Sequence, residues 1–137
     1  MEIILSSFLA WLIAQTIKFI YTLVCCKKID FRKFFSPGGM PSAHSALVSC
    51  VSTKAALIEG FDSTLFAFCV VFSLIVMYDA AGVRHAAGKQ AQILNRLVED
   101  YYKNHTISEK RLKELLGHTP IEVFFGMLLG ISIALLF

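Results

Sequence analysis

Charged residues are scarce in this sequence: they make up 17% of its 137 residues, whereas hydrophobic residues make up 56%. This balance excludes an ordinary soluble fold. The sequence also lacks a C-x-x-C pair and any metal-ligand spacing, so we expect no metal and no cofactor. The cysteines, which are Cys25, Cys26, Cys50 and Cys69, are expected to be buried packing residues. Acylation of Cys25 and Cys26 at a membrane boundary is the alternative.

The apolar residues are grouped into blocks. Residues 3–26 form a nearly continuous block, and about 20 apolar residues are enough to cross a bilayer. This block is too long for the apolar region of a signal peptide and has no small-residue cleavage site, so we expect a permanent span. The sequence predicts one all-α membrane domain over residues 1–137. Its expected parts are spans at about 3–26, 41–58, 62–80 and 119–137 and a cytoplasmic or interfacial helical segment at 80–116.

The basic residues are unevenly distributed along the chain. They cluster after the first block and between the third and fourth blocks, at 27–33 and 84–113. With four spans, both clusters fall on one side of the membrane, which the positive-inside rule makes cytoplasmic. The histidine-containing turns at 38–44 and 117–122 fall on that side too. The net charge is only +3, and we expect no nucleic-acid partner.

His118 precedes Glu122 by four residues, so in a helix both side chains share a face. A carboxylate bonded to one imidazole nitrogen fixes the tautomer and leaves the other nitrogen to attack or to take a proton. Thr119 is expected to cap the helix, with Pro120 in its first turn. The alternative is an ordinary interfacial His–Glu pair.

A second histidine follows a turn rich in glycine and hydroxyl groups. Gly38, Gly39 and Ser42 precede His44, with Pro41 setting the turn. Glycine allows a ligand to approach the backbone closely, and seryl hydroxyls donate to phosphate oxygens. We expect a phosphate-binding turn; the alternative is a histidine whose bonds are satisfied by neighbouring hydroxyls.

Several polar side chains are candidates to support a phosphate site. Lys18 lies inside the first apolar block, where an ionisable residue indicates function, and Gln15 shares its helix face. Arg84 and Lys89 follow the third block and are the nearest cations for a phosphate. Asp79 can pair with one of these cations or with Lys18. Ordinary positive-inside residues are the alternative for Arg84 and Lys89.

The chain resembles the divergent branch of the type 2 phosphatidic acid phosphatase superfamily, which is related to vanadium-dependent haloperoxidases. The resemblance covers nearly the whole chain through segments 14–18, 38–45, 78–84, 87–91 and 116–123. In the mainstream superfamily, Pro-Ser-Gly-His supplies the general acid, and His-x-x-x-Asp supplies the nucleophile and its orienting carboxylate. The resemblance therefore implies His44 as acid, His118 as nucleophile and Glu122 as its orienting group.

The sequence departs from the mainstream pattern at several positions. Ala43 replaces the motif glycine, and Glu122 replaces the aspartate. Leu112 stands where the mainstream members have an arginine six residues before the nucleophile, and the Lys…Arg-Pro motif is absent. By chain order, Lys18 takes the lysine role, and Arg84 or Lys89 replaces the missing arginine. Mainstream members usually have six spans, so a homodimer is one way to enclose the site.

The predicted function is a membrane lipid phosphatase that hydrolyses a lipid phosphomonoester or pyrophosphate through a phosphohistidine. A cytoplasmic site favours phosphatidylglycerophosphate or phosphatidate as the substrate and makes the bilayer and a lipid phosphate the expected partners. Undecaprenyl pyrophosphate, which would need an outward site, is an alternative substrate. Phosphoryl transfer to another acceptor and a catalytically inactive lipid-binding scaffold are further alternatives.

Overall fold

The computed structural model describes residues 1–26, 39–102 and 118–137, and within these ranges the regular structure is entirely helical. The helices are α1 (Glu2–Cys26), α2 (Ala43–Glu59), α3 (Thr64–Ala81), α4 (Val83–Tyr102) and α5 (Pro120–Leu136). The predicted all-α fold is therefore confirmed. The ends of α1, α2, α3 and α5 lie within two residues of the predicted spans. Of the segment predicted at 80–116, α4 is seen, and residues 103–116 lie outside the described ranges.

Three helices begin at hydroxyl caps. Ser42 precedes α2, Ser63 precedes α3 and Thr119 precedes α5, and each side-chain oxygen accepts a hydrogen bond from a backbone N–H three residues on. Such caps satisfy donors that have no partner inside the helix. Pro120 follows Thr119 in the first turn of α5, where its missing N–H costs nothing. The cap predicted at Thr119 is confirmed, because such a helix start depends on local sequence.

α2 is the central helix of the bundle and packs against α1, α3 and α5. Its core neighbours are mostly small: Ala10 and Ala14 of α1 and Ala46 and Cys50 of α2 are fully buried. Small residues at helix interfaces allow the backbones to approach closely, and dispersion contacts then hold the helices together within lipid. The expectation that residues 41–58 form an interior helix agrees with this position.

Hydroxyl groups link α2 to α3. The Ser52 and Ser73 side-chain oxygens lie 2.7 Å apart, and both hydroxyls also contact the carbonyl oxygen of Val48 at 3.0 Å. All these atoms are buried. The bonds satisfy polar groups that would otherwise be costly in an apolar interior.

The outer surface of the bundle is apolar. Glu2–Tyr21 and a stretch within Thr64–Glu99 are long and apolar enough to cross a bilayer, and α5 is a shorter apolar helix. Large side chains such as Phe8, Phe72 and Leu128 are exposed on them. Exposed apolar surface on this scale suits contact with lipid tails. The fold is a membrane helical bundle, and the number of four spans stays a prediction.

Candidate functional site

Residues from four parts of the chain meet at one end of the bundle. The His118 N–H donates to the carbonyl oxygen of Ala80, the penultimate residue of α3, at 3.1 Å. The Ser42 N–H, at the start of α2, donates to the carbonyl oxygen of Glu122 in α5 at 2.9 Å. Lys18 of α1 lies against the turn that leads into α2. The two histidine-containing turns therefore lie at the same end of the molecule.

His118 is held by the first turn of α5. Its Nδ1 lies 3.0 Å from Glu122 Oε2, and its side chain is 4% exposed. The same carboxylate oxygen accepts the Thr119 N–H at 3.2 Å, while Thr119 Oγ1 accepts the Glu122 N–H at 3.4 Å. This reciprocal capping box orients the carboxylate. Glu122 thus binds Nδ1, and Nε2 is the ring nitrogen that points away from it.

His44 lies beside His118 although the two are far apart in the sequence. Their ring centroids are 6.1 Å apart, and the rings meet at an interplanar angle of 65°. His44 is exposed, whereas His118 is buried. A histidine bonded to a carboxylate, with a second histidine beside it, is a pairing that nucleophilic and general acid–base catalysis use.

The turn before His44 is tightly packed. Ser42 and Ser45 are fully buried, and Ser42 Oγ accepts bonds from the Ser45 hydroxyl at 3.0 Å and the Ser45 N–H at 3.4 Å. The Ser42 hydroxyl is therefore used within the first turn of α2. The phosphate-binding role predicted for Ser42 stays a prediction.

Among the described side chains, Lys18 is a cation that lies next to the turn leading to His44. Its side chain is only 7% exposed and interacts electrostatically with Glu122. Gly39 has a φ of +86°, and a Cβ at Gly39 would lie 3.3 Å from both Cγ and Cδ of Lys18. Glycine at this position therefore permits both the left-handed turn and the close approach of the lysine stem.

The remaining predicted site residues lie in different surroundings. Gln15 is 7% exposed on α1, and its Oε1 has no hydrogen-bond partner among residues 1–26, 39–102 and 118–137. Asp79 is half-buried in the last turn of α3. Lys89 is exposed on α4, and none of the described contacts joins it to either histidine. Arg84 belongs to α4, but its side chain lies outside the described part of the structure, as does Gly38.

Two glycines that sequence reasoning overlooked bring α5 against the start of α2. A Cβ at Gly126 would collide with the Ser42 carbonyl oxygen, and one at Gly130 would collide with the Ala46 carbonyl oxygen. Their spacing, G-x-x-x-G in an apolar helix, is a known signal for close helix packing and could have revealed them. They position the site, because His44 and His118 are brought together by α2 and α5.

Comparison with known proteins identifies the family. The family described as "Divergent PAP2 family" matches residues 1–133. The chain belongs to the divergent PAP2 family. This confirms the resemblance to a divergent branch of the phosphatidic acid phosphatases.

A bacterial relative of similar length supports the same conclusion. The "Uncharacterized membrane protein YuiD" of Bacillus subtilis (strain 168) is 46% identical over 145 residues, which cover 96% of this chain and 90% of the relative. No solved structure gives a significant match. The chain is therefore a membrane protein similar to PAP2 phosphatases, and its relative's printed name assigns no activity.

Proposed function

We propose that this protein is a lipid phosphatase that works through a phosphohistidine on His118. The observation that carries the proposal is the pairing of His118, bonded through Nδ1 to Glu122, with His44 at a ring separation of 6.1 Å. Membership of a PAP2 family supports the same reaction class. Within the described residues, no group of three His, Cys, Asp or Glu side chains is placed to hold a metal ion.

In the first step, His118 Nε2 attacks the phosphorus of the lipid phosphate. The P–N bond forms as the bond from phosphorus to the lipid oxygen breaks, and protonated His44 gives its proton to that oxygen. Glu122 accepts the Nδ1–H bond and stabilises the positive charge that develops on the ring. The lipid alcohol, or a lipid monophosphate if the substrate is a pyrophosphate, then leaves.

In the second step, water replaces the lipid at phosphorus. His44, now neutral, takes a proton from the water as its oxygen bonds to phosphorus and the P–N bond breaks. Inorganic phosphate leaves, His118 regains its neutral ring, and His44 regains its proton. The exposure of His44 allows water to reach it.

The negative charge on the phosphoryl oxygens needs fixed positive groups. Lys18, which is buried against Gly39 and interacts electrostatically with Glu122, supplies one such group in the lysine role. The amino-terminal end of α2 adds the partial positive charge of a helix start. Preorganised groups of this kind stabilise a transition state more than they stabilise a solvated substrate.

The charge distribution of the sequence supports a cytoplasmic site. In the sequence, the basic residues at 27–33 and 84–113 fall in the same two stretches between apolar blocks as the histidine-containing turns, and basic loops are retained in the cytoplasm. Phosphatidate and phosphatidylglycerophosphate are therefore the favoured substrates. Undecaprenyl pyrophosphate recycling would require the opposite orientation.

The test is phosphate release by the purified protein from phosphatidate, phosphatidylglycerophosphate and undecaprenyl pyrophosphate. We expect His118→Ala to abolish release and His44→Ala to lower it by about 10²- to 10⁴-fold, which is the usual contribution of a general acid. With ³²P-labelled lipid, wild-type protein should carry a transient label that His118→Ala never acquires. Glu59→Gln, an exposed carboxylate at the other end of α2, serves as the control and should behave like wild type.

Three results would each contradict part of the proposal. Absence of release from every lipid phosphate would favour a lipid-binding scaffold, and activity of His118→Ala equal to wild type would exclude the phosphohistidine. Preference for undecaprenyl pyrophosphate, together with reporter fusions that place residue 30 outside the cell, would overturn the cytoplasmic assignment.

A further inference from the structure

A groove on the surface of the bundle begins at the candidate site and runs between α1 and α5. We call it the α1–α5 groove. Gly39, Thr119 and Glu122 line its mouth, and Ile17, Phe125 and Leu128 line its wall. Its volume is about 720 Å³. The groove thus joins the polar site to the lipid-facing surface.

Apart from Tyr21, the side chains that line the groove beyond its mouth are apolar or, like Ser132, bonded to their own helix backbone. Ile17, Phe125 and Leu128 are each about two-fifths exposed, and Leu129 adds a half-buried apolar side chain. Ser132, at the far end, donates its hydroxyl to the Leu128 carbonyl oxygen at 2.8 Å, so it offers no donor to a ligand. An apolar chain fits such a surface, whereas a polar chain would lose hydrogen bonds to water that the groove does not replace.

The length of the groove matches one leaflet. Glu122 at the mouth and Ser132 at the far end are ten residues apart on α5, which corresponds to about 15 Å at 1.5 Å per residue. The hydrocarbon core of a bilayer is about 30 Å thick. A chain that starts at the site therefore reaches about the middle of the membrane.

We propose that the α1–α5 groove holds one acyl chain of the lipid whose phosphate lies at His118, and that it makes the reaction selective for chain length. This inference rests on the proposed function, because it needs a phosphate at the site. The substrate enters sideways from the leaflet, with its headgroup against Lys18 and His118 and its tail along α5. The second chain of a diacyl lipid remains in the bilayer.

A second cavity provides the comparison. It has a volume of about 440 Å³ between α2, α3 and α5 and is lined by residues such as Ser49, Leu74 and Met127. None of its lining residues is a predicted site residue. A lipid tail there would have no connection to the histidines, so changes in this cavity should leave substrate selection unchanged.

The first experiment shortens the α1–α5 groove from its far end with Ser132→Trp, at an exposed position away from the histidines. We compare kcat/KM for dioctanoyl and dipalmitoyl phosphatidate in mixed micelles. We expect the ratio of long-chain to short-chain kcat/KM to fall about tenfold, which is the lower end of the discrimination that an apolar pocket achieves for one methylene group. Leu74→Trp in the second cavity is the matched control and should keep the wild-type ratio. An unchanged ratio in Ser132→Trp, or an equal fall in Leu74→Trp, would overturn the proposal.

The second experiment does not depend on turnover. Phosphatidate with a photoreactive diazirine in the middle of one chain is incorporated into vesicles with the protein, and the labelled peptides are mapped. We expect labelling concentrated on α1 near Ile17 and on α5 near Leu129, and reduced in Ser132→Trp. Phosphatidylcholine with the same tail should label these sites several-fold less.

The two experiments separate the groove from the activity. Groove labelling without phosphate release would support the bound chain and overturn the phosphatase proposal. Equal labelling by phosphatidate and phosphatidylcholine, or labelling spread over α3, would show ordinary surrounding lipid and overturn the groove proposal.

Discussion

Replacing Gly126 by alanine should impair the site without touching any reacting group. Gly126 faces the first turn of α2, and an added Cβ would lie 3.0 Å from Ser45 Cβ and 3.1 Å from the Ser42 carbonyl carbon. It would overlap the Ser42 carbonyl oxygen more severely. Because that oxygen accepts the Ala46 N–H inside α2, the backbone cannot turn aside, and the two helices must separate.

The size of the effect follows from these distances. Favourable carbon contacts need about 3.5–4.0 Å, so α2 and α5 must move apart by roughly 1 Å near the site. Overpacking of this kind destabilises a protein by about 1–3 kcal/mol. A misplacement of about 1 Å can lower activity about 10²-fold, because His44 moves with α2 while His118 stays with α5. We therefore expect Gly126→Ala to fold and to lose about 10²-fold in kcat/KM.

The assay pairs Gly126→Ala with Gly130→Ala. Gly130 meets the Ala46 carbonyl oxygen one turn further from His118, so its substitution should destabilise the bundle similarly and lower activity less. Thermal unfolding in detergent measures stability, and phosphate release from phosphatidate measures activity. Full activity in Gly126→Ala, or equal activity losses in both variants, would refute the link between helix spacing and the paired histidines.

Two further experiments test the site carboxylate and the α2–α3 link. Glu122→Gln keeps the side-chain shape but removes the charge next to His118. We expect kcat to fall about 5- to 10-fold, because hydrogen bonds to charged groups contribute about 1 kcal/mol more than neutral ones. KM should change little, and a rise in KM with unchanged kcat would contradict the orienting role of Glu122. In a double-mutant cycle of Ser52→Ala and Ser73→Ala, thermal unfolding should give a coupling energy of about 0.6 kcal/mol, the average for hydrogen bonds between membrane helices. Additive effects of the two substitutions would show that the 2.7 Å contact contributes nothing to stability.

Much of the fold was predictable because its signals are local. The apolar blocks located the helices, and Thr119 with Pro120 located the start of α5. The spacing of His118 and Glu122 also predicted their contact, since four residues make one turn of helix. Periodicity and capping act within a few residues, so one sequence is enough to recognise them.

The sequence was less able to predict which cation lies at the candidate site. Chain order favoured Lys18 together with Arg84 or Lys89, but the choice depends on how helices approach one another. The structure places Lys18 against Gly39, whereas Lys89 is exposed on α4. The role of Gly126 was overlooked for the same reason: it depends on the approach of another helix, because the α2 backbone faces this glycine.

The sequence by itself determined where helices start and end, which segments are apolar enough for lipid, and which histidine has a carboxylate one turn away. These properties depend on neighbours in the chain. Only the tertiary structure decided that His44 and His118 lie 6.1 Å apart and that a groove lined by Gly39 and Glu122 runs between α1 and α5. The physical reason is that both depend on the spacing of α1, α2 and α5, which small residues such as Gly126 and Ala46 set through contacts between distant parts of the chain.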